Sequence, residues 1–254
     1  MSWTAIVLAG SRPGTDPFAA AHGTDLKPLI PVAGVPMVAR PVETLLQSPG
    51  IATVRVLTQQ ADRIAAVLPT NERLTVEPSG STIASTLAAI LSDPATCFPL
   101  LVTTADHALL DPNMVSDFCG KAAGADLGIG LVEQRALTAR LPDTQRTWLK
   151  FRGGAYSGAN LFAFGSANAG MAVELWRSVE QDRKKGWRMI AALGPVVLLG
   201  AVLRLRTLDQ TLASVGRRLG LDIRKVELGN PLAAVDVDKE ADHALVTAIL
   251  EGRA

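Results

Sequence analysis

Cysteine is scarce, with two in 254 residues. Cys97 and Cys119 form no CxxC pair and have no histidine cluster near them in sequence. The cysteines thus indicate neither a disulfide framework nor a cysteine-based structural zinc module, and their scarcity suits a reducing cytosol. An excess of either charge is also missing: 25 basic against 24 acidic residues leave +1, which excludes nucleic acid as a partner read through a broad positive field. The start has no basic segment followed by a cleavable apolar stretch, so a cytoplasmic location is expected. No apolar run reaches the roughly 20 residues that span a bilayer. The most apolar one, residues 189–203, is broken by Gly194, Pro195 and Gly200. Internal repeats and low-complexity tracts are absent.

What is present is a core-forming composition, 48% hydrophobic and 19% charged. At roughly 150 residues per domain this predicts one domain over residues 1–254. Residues 3–9, WTAIVLA, read as a strand buried on both faces. The Gly- and Pro-rich segment 11–27 reads as a long functional loop. A helix over 37–47, a strand over 52–58, a helix over 62–68 and a strand over 73–78 follow. Gly80 then leads into a helix that Ser81 or Thr82 can cap. The next apolar run, PLLVTTAD, stops at Asp106 and so sets a carboxylate at the carboxyl end of a buried strand, where open α/β sheets hold their ligands. A helix over 113–123, strands at 126–133, 147–152 and 159–164, and a helix over 171–185 come after it. Residues 186–225 look like a helical add-on, apolar and then basic through Arg204, Arg206, Arg217, Arg218, Arg224 and Lys225. Their 189–218 part suits a buried helix, a dimer surface or peripheral contact with an anionic membrane. The chain ends in AAVDVDKEADHAL, a strand leading into a helix with an acidic first turn.

Three constellations carry candidate chemistry. Leu8-Ala9-Gly10-Ser11-Arg12-Pro13-Gly14 with Lys27 offers free backbone N–H groups and two cations for phosphate oxygens. It has no GxGxxG, and Thr15 rather than lysine follows Gly14, so neither standard nucleotide loop applies. A solvated surface loop is the alternative. Asp106, after Thr103-Thr104-Ala105, is either a ligand or the cap of a following helix. Asp236 and Asp238 alternate, so a strand would present both on one face, to a hard cation or to solvent. His22, His107 and His243 are too dispersed to suggest a metal triad.

LAGSRPG followed by KPLIPVAGVPMV resembles the opening of the GT-A-type nucleotidyltransferases, a group that includes the MobA-like NTP transferases and the sugar-phosphate and inositol-phosphate nucleotidyltransferases. Ser11 stands where the family has a second glycine. TADHA around Asp106 is similar to the family's TxADHP, with Ala108 in place of proline, and VDVDKEADHAL to its VDVDTPEDL. The resemblance implies a three-layer α/β/α sandwich with a mostly parallel central sheet and transfer of a nucleotidyl group from a nucleoside triphosphate to a phosphorylated acceptor. It implies Arg12, Lys27 and Asp106 as catalytic groups and Mg2+ held by Asp106 with Asp238 or Asp236. Leu8, Ala9, Gly10, Ser11, Gly14, Gly80, Ser81 and Thr82 would bind the nucleotide. Lys150, Gly158 and Asn160 would line the acceptor side, and CTP is the donor the inositol-phosphate type favours. A nucleotide-binding or membrane-associated module without turnover and a GT-A glycosyltransferase are the other readings.

Overall fold

The computed structural model describes residues 2–11, 14, 16–181 and 205–254. Strand β1 (Trp3–Leu8) shows why the sheet is central. Trp3, Ala5 and Val7 pack into one hydrophobic cluster, and Ile6 packs into another. With side chains alternating across the strand, both faces of β1 are covered, and each fully buried Ile or Val stabilises the fold by about 1.5–3 kcal/mol.

The elements run in the order β1, α1 (Pro17–Ala21), β2 (Pro31–Val32), β3 (Val35–Pro36), α2 (Ala39–Gln47), β4 (Ile51–Thr58), α3 (Ala61–Ala65), β5 (Leu74–Pro78), α4 (Ile83–Ser92) and β6 (Leu100–Thr104). Then come α5 (Pro112–Ala122), β7 (Leu127–Glu133), α6 (Gln134–Arg140), β8 (Leu149–Phe151), β9 (Gly154–Phe164), α7 (Gly170–Gln181), α8 (Leu208–Leu219), β10 (Ile223–Glu227) and α9 (Glu240–Leu250). The main sheet has the order β10-β7-β9-β6-β1-β4-β5, with β8 added on β9. All its pairs are parallel except those made by β9, which runs antiparallel to β6, β7 and β8. Helices α2, α3, α5, α6 and α9 bury residues on one face, and α4 and α7 on the other. The result is the expected three-layer α/β/α sandwich with a mostly parallel sheet.

Several local outcomes differ from the sequence reading. The loop at 11–27 contains α1, because Asp16 accepts hydrogen bonds from the Phe18 and Ala19 amides and Pro17 opens the helix. Residues 233–238 form no strand. A helical turn over Pro231–Ala234 leads into an extended stretch in which Val235 and Val237 are fully buried, and Asp236 and Asp238 alternate with them. Helix α6 has no counterpart in the expected elements. Residues 208–227 supply α8 and the edge strand β10, so this part of the expected 186–225 add-on is integral to the domain. The rest of that segment up to residue 204, and with it most of the expected 189–218 membrane contact, lies outside the described residues. No helix among the described residues is long and apolar enough to cross a membrane.

Candidate active site

From β1 the chain proceeds to β4 and β5 on one side and then crosses to β6 on the other. Such a switch in direction opens a crevice beyond the carboxyl ends of β1 and β6, where α/β sheets bind ligands. The Gly10 loop leaves β1 there, and Asp106 follows β6.

Lys27 is delivered to the crevice by a short, heavily braced segment. It opens a helical turn, Lys27–Leu29, with Pro28 buried behind it. The Val38 amide donates to the Pro28 carbonyl at 3.0 Å and the Met37 amide to the Ile30 carbonyl at 2.8 Å. Between them, β2 and β3 pair through Ala33 (φ 46°) and Gly34 (φ 77°), two positive-φ positions as in the tightest hairpins. Arg40 donates to the Val32 carbonyl at 2.6 and 3.0 Å and to the Ala33 carbonyl at 3.2 Å. The KPLIPVAGVPM stretch is thus a rigid bracket for one amine.

The Lys27 Nζ donates to Asp106 Oδ2 at 2.8 Å and to Asp238 Oδ1 at 2.5 Å. Burial pulls its ammonium down, and the Asp106 and Asp238 carboxylates more than offset that, leaving it above the ordinary lysine value. Asp106 also accepts from the Thr104 hydroxyl at 2.5 Å, and its backbone carbonyl accepts from the Val237 amide at 3.1 Å. That last bond seats the C-terminal carboxylates beside the one from β6.

Asp236 is organised separately. Arg146 donates to one of its carboxylate oxygens, and the Asn160 amide donates to the other at 3.0 Å. Arg146 also reaches Asp242 at 3.2 Å, and Asp242 accepts from the Asp238 amide at 3.3 Å. Asn160 has φ 48°, at an irregularity in the β7–β9 pairing that aims its side chain. Asparagine tolerates this left-handed geometry better than most residues. Burial pushes the Asp236 carboxyl up, the Asp238 and Asp106 charges add to this, and Arg146 only partly opposes it. Thr104 stands in the sequence as part of the run that ends at Asp106, whereas Arg146 carries no signal of its own. Arg146 sits in an irregular loop with no pattern linking it to a residue 90 positions away.

On the other side of the crevice, Leu8 ends β1, Ala9 is buried, and the Ser11 amide donates to Gln59 Oε1 at 3.0 Å. The Gln59 amide in turn donates to the Gly80 carbonyl at 3.3 Å. Gln59 therefore ties the Gly10 loop to the Gly80 turn, and a Cβ on Gly10 would lie 3.1 Å from its side-chain nitrogen. Its position just after β4 was the available signal. Gly14 is exposed with φ 106°, while Arg12 lies outside the described residues. Thr82 caps α4 in a reciprocal box with Ser85, and Ser81 is exposed beside it.

A cleft of about 410 Å³ adjoins the carboxylates, lined by residues including Arg146, Leu149, Gly158, Asn160, Asp236, Asp238 and Lys239. Lys150 does not line it; the strand's alternation gives that place to Leu149. His107, beside Asp106, is buried within hydrogen-bonding distance of the Thr103 hydroxyl, and burial pushes it down to about 4, so it is neutral at pH 7.

The donor set fits a hard divalent cation. Two carboxylates already share one cationic group, a third is destabilised as an anion by burial and then by its neighbours, and every donor is oxygen. The three do not close into a mutual cluster, because Lys27 stands between two of them and Arg146 and Asn160 hold the third.

Comparison with solved structures extends this picture. A hypothetical transferase from Thermus thermophilus is 29% identical, with a TM-score of 0.80 over 96% of this chain and 100% of that one. The 4-diphosphocytidyl-2C-methyl-D-erythritol synthase of Anaerococcus prevotii shares the fold at 11% identity and a TM-score of 0.58, over 98% and 96% of the two chains. A CMP:2-keto-3-deoxy-manno-octonic acid synthetase complexed with CTP does so at 16% and 0.57, over the whole of both. Comparison with curated proteins finds no match. The model of the MobA-like NTP transferase domain matches residues 5–196. The chain belongs to the MobA-like NTP transferase family and is a nucleotidyltransferase.

Proposed function

We propose that the protein transfers a nucleotidyl group, with CTP as preferred donor, to a phosphorylated small-molecule acceptor in a reaction that depends on Mg2+. An acceptor phosphate oxygen forms a bond to the α-phosphorus. The bond from that phosphorus to the bridging oxygen breaks in line, and its electron pair leaves with pyrophosphate. A phosphate acceptor is already ionised at neutral pH, so no general base is required. The task is to position two anions that repel one another and to neutralise their charge.

The observation that carries this reading is the Lys27 ammonium held between Asp106 and Asp238 beside the Gly10 loop. Asp106 and Asp238, with Asp236 next to them, would hold Mg2+. When bound, the ion screens phosphate charge and polarises the oxygens around the reacting phosphorus. Lys27 exchanges its carboxylate partners for the triphosphate, joined by Arg12 and the backbone amides of Gly10 and Gly14; the expected Ala9 and Ser11 amides already donate to the Leu57 carbonyl and to Gln59. Gly80, Ser81 and the backbone of Thr82 border the nucleotide. Gly158 and Asn160 border the acceptor, and Lys239 takes the role of its phosphate partner in place of Lys150. The choice of CTP draws on the CTP-bound synthetase of the same fold.

Pyrophosphate release is to be measured with each of CTP, GTP, UTP and ATP, Mg2+, and a panel of phosphorylated alcohols and sugars. The expected result is release with CTP and at least one phosphorylated acceptor. No release with any pair, or nucleoside diphosphate released from a nucleotide sugar instead, overturns the reading.

A further inference from the structure

Two of the three histidines, His22 and His243, meet at the N-terminal end of α9. His22 closes α1 and His243 lies in the first turns of α9, yet their ring centroids are 4.4 Å apart. Glu240, one helical turn before His243, places Oε2 2.9 Å from His22 Nε2. One ligand atom from each of the three lies within 4.8 Å of both others, and among the described residues no other such group of histidine, cysteine and carboxylate side chains forms. We propose that His22, Glu240 and His243 bind a divalent transition metal of the zinc class, at a site separate from the one that binds the nucleotide.

The groups around the three side chains support ligation. His243 Nε2 lies 2.8 Å from the Pro31 carbonyl oxygen. Donation there fixes the tautomer and leaves Nδ1 with a lone pair, the usual arrangement for a metal-binding imidazole. The Phe18 ring meets both imidazoles edge-on, at 5.1 Å from His22 and 6.3 Å from His243, which restrains them and shields one side. Glu240 is 70% exposed, so the site is open for entry of the ion and for a water in the fourth position. Two imidazoles and one carboxylate are a zinc donor set, whereas Mg2+ prefers oxygen alone. An ordinary surface ion pair accounts for His22 and Glu240. It does not account for a second imidazole held against the first and oriented by a backbone carbonyl.

The consequence is mechanical. The metal would fasten the segment that follows the glycine loop to the helix whose buried Asp242 holds Arg146 and the Asp238 amide. The active-site loop and the C-terminal carboxylates would then share one anchor.

The full-length protein, stripped with a chelator, is to be titrated with Co2+, followed by visible absorption, and then with Zn2+. The expected result is a single Co2+ whose spectrum shows nitrogen ligation, displaced by Zn2+, in both wild type and Asp106→Asn. His22→Ala, His243→Ala and the helix-preserving Glu240→Gln should each weaken binding at least about tenfold, with unchanged circular dichroism in the absence of metal. Absence of binding by wild type, binding that survives the histidine substitutions, or binding lost in Asp106→Asn overturns the proposal. If a histidine variant does not fold, undiminished affinity in Glu240→Gln overturns it equally.

Discussion

Replacing Arg146 by methionine tests how the carboxylates are held. The Arg146 side chain is 9% exposed and its two carboxylate partners, Asp236 and Asp242, are 24% and 10% exposed. Methionine fills much of the same volume but strands both anions in a site with little access to water. Breaking one side of a buried ion pair typically costs about 3–5 kcal/mol. Because Asn160 still donates to Asp236 and the Asp238 amide to Asp242, the lower end, about 3 kcal/mol, is expected. That corresponds to roughly two orders of magnitude in the folding equilibrium. Urea unfolding of wild type, R146M, D236N/D242N and the triple variant gives the double-mutant cycle. Most of the loss should disappear once both carboxylates are neutral. The pH dependence has a definite sign. Native Asp236 is raised above the ordinary carboxyl value of 3.8, so the native state holds this proton more tightly than the unfolded chain. Its contribution to stability therefore falls as pH rises from 3.8 through the native value. Losing Arg146 removes an influence that lowers this value, so R146M should be penalised less in acid than at pH 7. A loss under about 1 kcal/mol, or an equal loss in the D236N/D242N background, would refute this account.

Asp106→Asn should reduce nucleotidyl transfer by about a hundredfold or more while leaving the thermal midpoint close to wild type; an unchanged rate removes Asp106 from the mechanism. Asn160→Gly keeps the φ 48° backbone accessible and loses only the bond to Asp236, whereas Asn160→Ala adds roughly 1 kcal/mol of left-handed strain. Urea midpoints should rank the glycine variant above the alanine one, and the reverse order refutes the argument. Gly165→Ala would drive a Cβ into the Ala125 carbonyl oxygen, which is fixed backbone. It should cost at least about 3 kcal/mol or abolish soluble expression, and near-wild-type stability would contradict the packing described. Substituting Gln59 by alanine should raise KM for the nucleotide more than it lowers kcat, read from steady-state kinetics, because it frees the Gly10 loop from the Gly80 turn; an unchanged KM argues against that tie.

Much of this site was legible because its signals are local. The apolar run of β6 ending at Asp106, the braced KPLIPV stretch around Lys27 and the alternating VDVD each advertise a polar group on a buried scaffold. The alternation at 235–238 persists although the expected strand does not form, since burial of Val235 and Val237 turns the aspartates outward. What stayed hidden depends on tertiary closure. Arg146 meets Asp236 across 90 positions, and His22 meets Glu240 across 218. No period or spacing in one dimension encodes such meetings. The α1 helix is hidden for a different reason: Asp16-Pro17 is a good start signal, but it lies in a segment whose glycines and prolines outweigh it.

Strand β9, reversed between β6 and β7, divides the sheet's labour. The parallel half built on β1, β4 and β6 carries the elements proposed for the triphosphate, while β8, β9 and residues 145–147 line the cleft beside Asp236. Under the proposed reaction, exchanging the acceptor becomes a matter of rebuilding one hairpin and its neighbouring loop. The chemistry at the phosphorus need not be reinvented each time, so a single catalytic chassis can serve many products.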